Sequence, residues 1–349
     1  MSVVTGLSHA APPPVTQEEL WEGFFSRHYS GSPLARRLFA AAGVRTRHAV
    51  ANPIDEDLSG WSTARRMQRY AVEAMPLAKQ AVCEALDTAG LAASDVGLLT
   101  VASCTGYATP GVDIRLARDL GMSPDVQRLF VGHMGCYAAV PALGAVSDFV
   151  TARQRPAVLL SLELTSLHVQ PATTDSGQMV SHALFSDAAA AAVVEPGAAD
   201  GFEILDVVAR TDATAEDHMT WDVTDLGFRM GLSPRVPDVL GVHVGPVIGG
   251  LLDRHGLTTA DVAGWAVHPG GPRILDVVRD RLALPESALS TSRQVLSEHG
   301  NCSSATVLLT LEACAGGVPA GGYAVLMAFG PGLTLYAALL RRRGKVPVP

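Results

Sequence analysis

Between Gln17 and Ala41 apolar residues recur at helical spacing, Leu20, Trp21, Phe24 and Phe25 first, then Leu34, Leu38 and Phe39. That spacing predicts two helical pieces. From Tyr70 to Ala89 the spacing of Ala74, Leu77, Ala78, Ala81, Val82, Ala85 and Leu86 predicts a longer helix, stopped at Gly90. Val96 to Ser103 then reads as a strand buried on both faces. Helical and strand-like runs continue to alternate, which predicts an α/β fold. Residues 1–16 carry Pro12, Pro13 and Pro14 in a row and predict a flexible N-terminal tail.

The pattern is duplicated. Asp87-x-x-Gly90-Leu91-x-x-x-Asp95-Val96 returns at an offset of 166 residues as Asp253-x-x-Gly256-Leu257-x-x-x-Asp261-Val262. An apolar run follows each copy, GLLTVASC and then AGWAVHPG. The same offset carries His133 onto His299 and Cys136 onto Cys302. Two windows sharing one offset and one element order predict an internal duplication. Two polar interruptions, PGAADG and TDATAEDH, place the boundary between residues 197 and 220. The expected halves are therefore 17–205 and 206–349.

Composition narrows the function classes. A chain of 349 residues with 48% apolar and 17% charged residues has material for a large core and is not disordered. Its net charge of −8 and its 5% aromatic content argue against a nucleic-acid surface. Lys79 and Lys345 are the only lysines, so phosphates must be met by arginine, backbone amides or helix N-termini. Five scattered cysteines without a CxxC pair predict reduced thiols and no zinc site. No basic segment leads into an apolar core at the N-terminus, and the run Ala188 to Val194 is too short to span a bilayer. The expectation is a cytoplasmic protein with no membrane insertion.

Three segments put reactive side chains at the ends of apolar elements. Val131-Gly-His-Met-Gly-Cys136 runs into a small-residue helix, where a helix N-terminus would lower a thiol pKa and supply oxyanion donors. Trp265-Ala-Val-His268-Pro-Gly-Gly-Pro272 ends a strand on a histidine before a forced turn. His299-Gly-Asn301-Cys-Ser-Ser304 places an asparagine where another helix opens, a position it would also fill as an N-cap. Cysteine, histidine and asparagine together suit acyl transfer.

The segments WAVHPGGPRILD, HGNCSSATVL, LFSDAAAA and AFGPGLT resemble the hallmark segments of type III polyketide synthases, the chalcone synthase family. The resemblance runs from about residue 17 to about residue 340. It implies the duplicated five-layered αβαβα fold of the thiolase type and a homodimer. It also implies acyl-CoA and malonyl-CoA substrates, with no metal or redox cofactor. Scarce lysine with abundant Ala, Arg and Gly fits a bacterial source.

Carried over position by position, the resemblance implies Cys136 as nucleophile, with His268 and Asn301 acting on malonyl-CoA. Phe185 takes the place of a gating phenylalanine. A second gate falls on Met230 without gaps or on Phe228 with a small shift. Cys104, Thr109, Thr165, His168 and Ser303 fall on pocket-lining positions, although His168 is equally readable as backbone-bonded or solvated. Arg36, Arg37, Gly270, Gly271 and Arg273 fall along the coenzyme A path, the arginines being equally readable as a solvated face. An imidazolium at His268 is expected to hold Cys136 as a thiolate. Tyr137-Ala-Ala-Val140 and Ser186-Asp-Ala188 depart from the family's usual glycine-rich steps, so pocket shape is not borrowed. Two alternatives stay open: a ketoacyl carrier-protein synthase, and a catalytically silent acyl-binding partner.

Overall fold

The computed structural model describes residues 1–344. Its frame is one mixed sheet of nine strands. Their order is Val262–Val267, Tyr323–Gly330, Thr334–Arg343, Gly201–Thr211, Ser2–Ala10, Asp187–Pro196, Ala157–Leu164, Leu98–Ser103 and Gln127–Gly132. The two halves meet where Val3 pairs with Glu203 and Val4 with Phe202.

Strand alternation turns this sheet into five layers. Ala188, Ala190 and Ala192 face the helices Ala139–Arg153 and Ala305–Cys314, while Ala189, Ala191 and Val193 pack under the helix Thr63–Ala89. In the other half Leu326 and Ala338 face the same central helices. Val325, Met327 and Leu339 instead meet the outer helices Val236–Asp253 and Pro272–Arg281. Because successive side chains leave opposite faces of a strand, each half-sheet is covered twice. The order is helix, sheet, central helix pair, sheet, helix.

The offset of 166 recurs in the elements. The central helices start at Ala139 and Ala305, and the short 3-10 turns Ala93–Asp95 and Thr259–Asp261 lead into matching strands. The long helix starts at Thr63 rather than Tyr70, because the Ser62 hydroxyl accepts from the Arg65 amide and caps it. Gly135–Arg153 and Val236–Asp253 are long and apolar enough to cross a membrane. In this structure both bury apolar faces against the sheet.

The expected tail is corrected. Ser2–Ala10 is a central strand, running antiparallel to its neighbour from Ser2 opposite Pro196 to Ala10 opposite Ala189. Its inward residues are small because the long helix lies close: a Cβ on Gly6 would sit 2.1 Å from the Ala85 carbonyl oxygen. Gly6, Ser8 and Ala10 therefore carry no hydrophobic signal although they are buried. Pro14–Thr16, which begins on the last proline of the run, pairs with Thr46–His48.

Candidate active site

Cys136 lies in the turn Gly135–Tyr137, which feeds directly into the central helix Ala139–Arg153. Gly135 has φ +68°, and a Cβ there would come within 2.8 Å of Pro331. The turn thus needs glycine on both counts. His268 follows the last residue of the strand Val262–Val267, and its amide donates to the Met327 carbonyl at 2.8 Å. Asn301 sits between the helices Ser290–His299 and Ala305–Cys314; its amide donates to the Leu184 carbonyl at 2.8 Å.

These three residues line one cavity of about 480 Å³. Phe185, Met230, Gly270, Gly271 and Arg273 line it too. Its walls are mostly aliphatic, with Leu184, Leu232, Val236, Leu240 and Ile274 among them. His268 is 1% exposed, and among the described residues neither ring nitrogen has a partner. A buried imidazole with both nitrogens free is costly unless a ligand uses them. Asn301 commits its side-chain oxygen to the Ser303 amide at 2.9 Å, which leaves its NH2 to donate towards the Cys136 sulfur.

The expected thiolate–imidazolium pair is not the resting state. Burial pushes the Cys136 thiol up to about 12, against the opposing pull of hydrogen bonds from Ser303 and Asn301. Burial pushes His268 down to about 3. Both groups rest neutral, because removal from water outweighs the helix terminus and the neighbouring donors.

Beneath Cys136 lies a carboxyl that the sequence pattern does not single out. Glu163 is fully buried and accepts from the Cys104 amide at 3.1 Å, Thr105 at 2.8 Å and Ser304 at 2.5 Å. Burial raises its pKa. Cys104 is held well above the usual thiol range by burial and by Glu163, so it is an inert thiol. Ser303 takes φ +49°, an uncommon backbone state for serine, and sets its hydroxyl 3.4 Å from the Cys104 sulfur.

A smaller cavity of about 20 Å³ opens behind Cys136, lined by Cys104, Thr165, Phe185, Met219, Trp221, Met230 and Ser303 among others. Trp221 fills most of this side and donates its indole N–H to the Cys104 carbonyl at 2.8 Å. Met230, and not Phe228, faces Cys136. Phe228 is turned to the far side of Trp221, where its ring stacks on His168 at 4.5 Å.

Two pocket expectations are corrected. His168 is buried and bonded to backbone at both nitrogens: Nε2 donates to the Thr105 carbonyl at 2.7 Å, and Nδ1 accepts from the Phe228 amide at 3.0 Å. It lines a separate cavity beyond Trp221. Thr109 lies on the exposed loop after Leu98–Ser103, and its hydroxyl donates to the Tyr107 hydroxyl at 3.4 Å. Arg36 and Arg37 are exposed on the helix Pro33–Ala41, whose Leu38 and Ala41 line the large cavity. Arg36 leans over the Trp21 ring, 6.0 Å from its centre.

The profile of chalcone and stilbene synthases matches twice, its N-terminal domain over residues 6–198 and its C-terminal domain over residues 206–343. The chain belongs to that family. As a type III polyketide synthase it is an acyltransferase working by decarboxylative condensation, and the carrier-protein and silent-partner readings are not favoured. It is 38% identical over 316 residues to a 1,3,6,8-tetrahydroxynaphthalene synthase of Streptomyces peucetius subsp. caesius, covering 88% of this chain and 83% of the relative. A phloroglucinol synthase of Pseudomonas fluorescens is 32% identical over 331 residues, 93% of this chain and 94% of the relative. The crystal structure of the 1,3,6,8-tetrahydroxynaphthalene synthase from Streptomyces coelicolor superposes with a TM-score of 0.93 at 32% identity. That match covers 98% of this chain and 100% of the other, and the shared fold is the thiolase-type αβαβα arrangement.

Proposed function

We propose that Cys136 is the residue acylated by a starter acyl-CoA, and that His268 and Asn301 serve the malonyl-CoA that extends it. The carrying observation is the single apolar cavity shared by all three side chains. Because both groups rest neutral, acylation is a coupled step. Imidazole takes the thiol proton as sulfur attacks the thioester carbonyl, then returns it to the departing coenzyme A thiolate.

Malonyl-CoA next places its thioester oxygen against the neutral imidazole N–H and the Asn301 NH2. Loss of carbon dioxide leaves an enolate whose charge those donors hold. The enolate carbon attacks the Cys136 thioester, a carbon–carbon bond forms, and Cys136 leaves as thiolate, ready to be reloaded. The Phe185 ring, apolar and beside Cys136, favours loss of the carboxylate charge. Coenzyme A thioesters are the only small molecules these steps require.

Arg273, 68% exposed in its side chain and lining the cavity, meets the coenzyme A phosphates in this reading, with exposed Arg37 as a second candidate on the helix Pro33–Ala41, whose Leu38 and Ala41 line the same cavity. The partner is a second copy of this chain. The edge strand Gln127–Gly132 pairs on one side only and exposes Leu129 and Phe130, with exposed Tyr107 and Ile114 elsewhere on the surface. An apolar unpaired edge of this kind is satisfied by another strand. Such a chain works in the cytoplasm, where coenzyme A thioesters are made.

The test is incubation with a panel of acyl-CoA starters, then proteolysis and mass analysis, alongside carbon dioxide release from labelled malonyl-CoA. The acyl group belongs on Cys136, and malonyl-CoA without a carrier protein suffices. Acylation elsewhere, or a strict need for a carrier, overturns the reading.

A further inference from the structure

The turn that carries Phe185 is fastened from three directions. A helix leaves its last carbonyls without intrahelical partners, and at the end of Ser176–Leu184 each of them is taken. The Ser181 carbonyl accepts from the Phe185 amide at 3.1 Å, and the Leu184 carbonyl accepts from the Asn301 amide. The Ala183 carbonyl accepts from the Gln17 side chain at 2.8 Å. Arg47 supplies the rest: one terminal nitrogen donates to the His182 carbonyl at 2.5 Å and to the Phe185 carbonyl at 3.2 Å.

Arg47 belongs to the strand Thr46–His48, which is wedged between this turn and the one before Asn301. On one side the His48 amide donates to the Ser186 hydroxyl at 2.8 Å, and that hydroxyl donates back to the His48 carbonyl at 3.2 Å. On the other side the Arg45 amide donates to the Ser297 carbonyl at 2.8 Å, and the His48 ring stacks on His299 at 5.2 Å. Gly300 closes the contact. Its φ is +70°, and a Cβ there would sit 2.9 Å from the Ser186 Cβ and 3.3 Å from the Arg47 Cγ. Arg47 is buried, and burial pushes its guanidinium down to about 9, so it stays charged at pH 7. The helix C-terminus and the rings of Phe25 and Phe39, 5.7 and 5.9 Å away, favour a cation here. Its Nε and second terminal nitrogen have no partner among the described residues, and a buried cation so sparingly bonded adds little to stability by itself.

On the reading that Phe185 and Asn301 serve malonyl-CoA, we propose that Arg47 and Ser186 are positioning residues for its decarboxylation. Together they hold the Phe185 ring and the Asn301 NH2 in one fixed relation, each through the backbone of its own turn. Cys136 and His268 stand on other elements, the turn Gly135–Tyr137 and the end of the strand Val262–Val267. Loosening the strand Thr46–His48 therefore reaches the step that uses Phe185 and Asn301, and spares thioester attack by Cys136. Ser186 departs from the family's usual glycine-rich step, so its hydroxyl makes a tie to His48 that a glycine cannot make.

The experiment follows two reactions in each variant: carbon dioxide release from labelled malonyl-CoA, and single-turnover acylation of Cys136 by an acyl-CoA, read by mass analysis. Arg47→Met keeps an apolar stem between the two rings and removes the donors. Its kcat for carbon dioxide release should fall about 10- to 100-fold, the cost of a donor displaced by up to about 1 Å. KM for malonyl-CoA and the acylation rate should stay within about threefold of the parent. Arg47→Lys, which keeps a cation and its donors, should recover most of the loss. Ser186→Ala removes only the hydroxyl tie and keeps the test open if Arg47→Met does not fold. It should lower carbon dioxide release about 3- to 10-fold and leave acylation unchanged. A merely structural role would lower both reactions together, in step with the folded fraction. Equal losses in the two reactions, or an unchanged ratio between them in either folded variant, overturn the proposal. A parent protein that releases no carbon dioxide from malonyl-CoA overturns the reading beneath it, and the proposal with it.

Discussion

Phe185 and Asn301 are joined as an isolated parallel bridge: the Ser186 amide donates to the Asn301 carbonyl at 3.0 Å, and the Asn301 amide donates to the Leu184 carbonyl at 2.8 Å. Phe185 and Asn301 therefore share one piece of backbone contributed by both halves of the chain. Asn301→Ala removes the donor and leaves this bridge in place. Decarboxylation should fall about 100- to 1000-fold, the cost of one lost oxyanion donor. Acylation of Cys136 should persist. An equal loss in both steps would show that Asn301 organises the Cys136 site and does not serve malonyl-CoA.

The neutral resting thiol makes a pH prediction. With Cys136 near 12, thiolate is about one part in ten thousand at pH 8. Alkylation of the free enzyme by iodoacetamide should climb about tenfold per unit from pH 7 to pH 10. A plateau near neutrality would reveal a preformed thiolate–imidazolium pair.

Acid should destabilise the fold early. His168 and His268 are held near 3, and His182 well below its ordinary 6.5, all by burial. Their depressed values mean that the unfolded chain binds protons that the native state refuses. Nothing is lost above pH 6.5, and stability declines as pH falls below it. Urea unfolding at pH 5.5 against pH 7.0 should show a loss of about 1 kcal/mol per buried histidine. Glu163 and Asp187, both raised by burial, act in the opposite sense, losing stability as pH rises above their ordinary carboxylate range, so the pair Glu163→Gln and Asp187→Asn serves as the control for the histidine effect. A flat profile from pH 7.0 to 5.5 would mean that these imidazoles are protonated in the native protein.

Trp221 separates the small cavity behind Cys136 from the one lined by Arg47 and His168. Trp221→Ala should merge them and admit a longer chain, read as heavier products from the same starter. Stability should drop by about 1–3 kcal/mol, since a half-buried ring is lost and the Cys104 carbonyl loses its donor. An unchanged product set from a folded variant would place chain growth elsewhere.

Phe130, 42% exposed on the edge strand, should sit in the contact between two copies. Phe130→Asp should shift the mass measured by light scattering from dimer to monomer. A dimer that tolerates this charge uses a different face.

Cys136, His268 and Asn301 stood out because each stands where an apolar run meets a turn, and Phe185 through the family resemblance; the structure sets all four around one cavity. Position relative to Cys136 was less legible. Whether Met230 or Phe228 faces the nucleophile depends on the register of the hairpin Met219–Thr224 with Gly227–Leu232, and Met230 stands opposite Trp221. His168 looked like a pocket residue because its neighbours are, yet both its nitrogens are claimed by backbone 60 residues or more away in sequence. Glu163 is hidden inside an apolar strand, where a lone carboxyl gives no hint of the three donors gathered around it. Ser2–Ala10 was hidden by its own small residues.

That first strand has an implication for synthesis. Its hydrogen-bonding neighbours, Asp187–Pro196 and Gly201–Thr211, are made nearly two hundred residues after it. Until then its edges are open, and neither half-sheet can close over the other. Contacts this distant in sequence slow folding and expose unpaired strands to other chains. The nascent polypeptide must carry that segment as an unclaimed ribbon while nearly two hundred further residues are made.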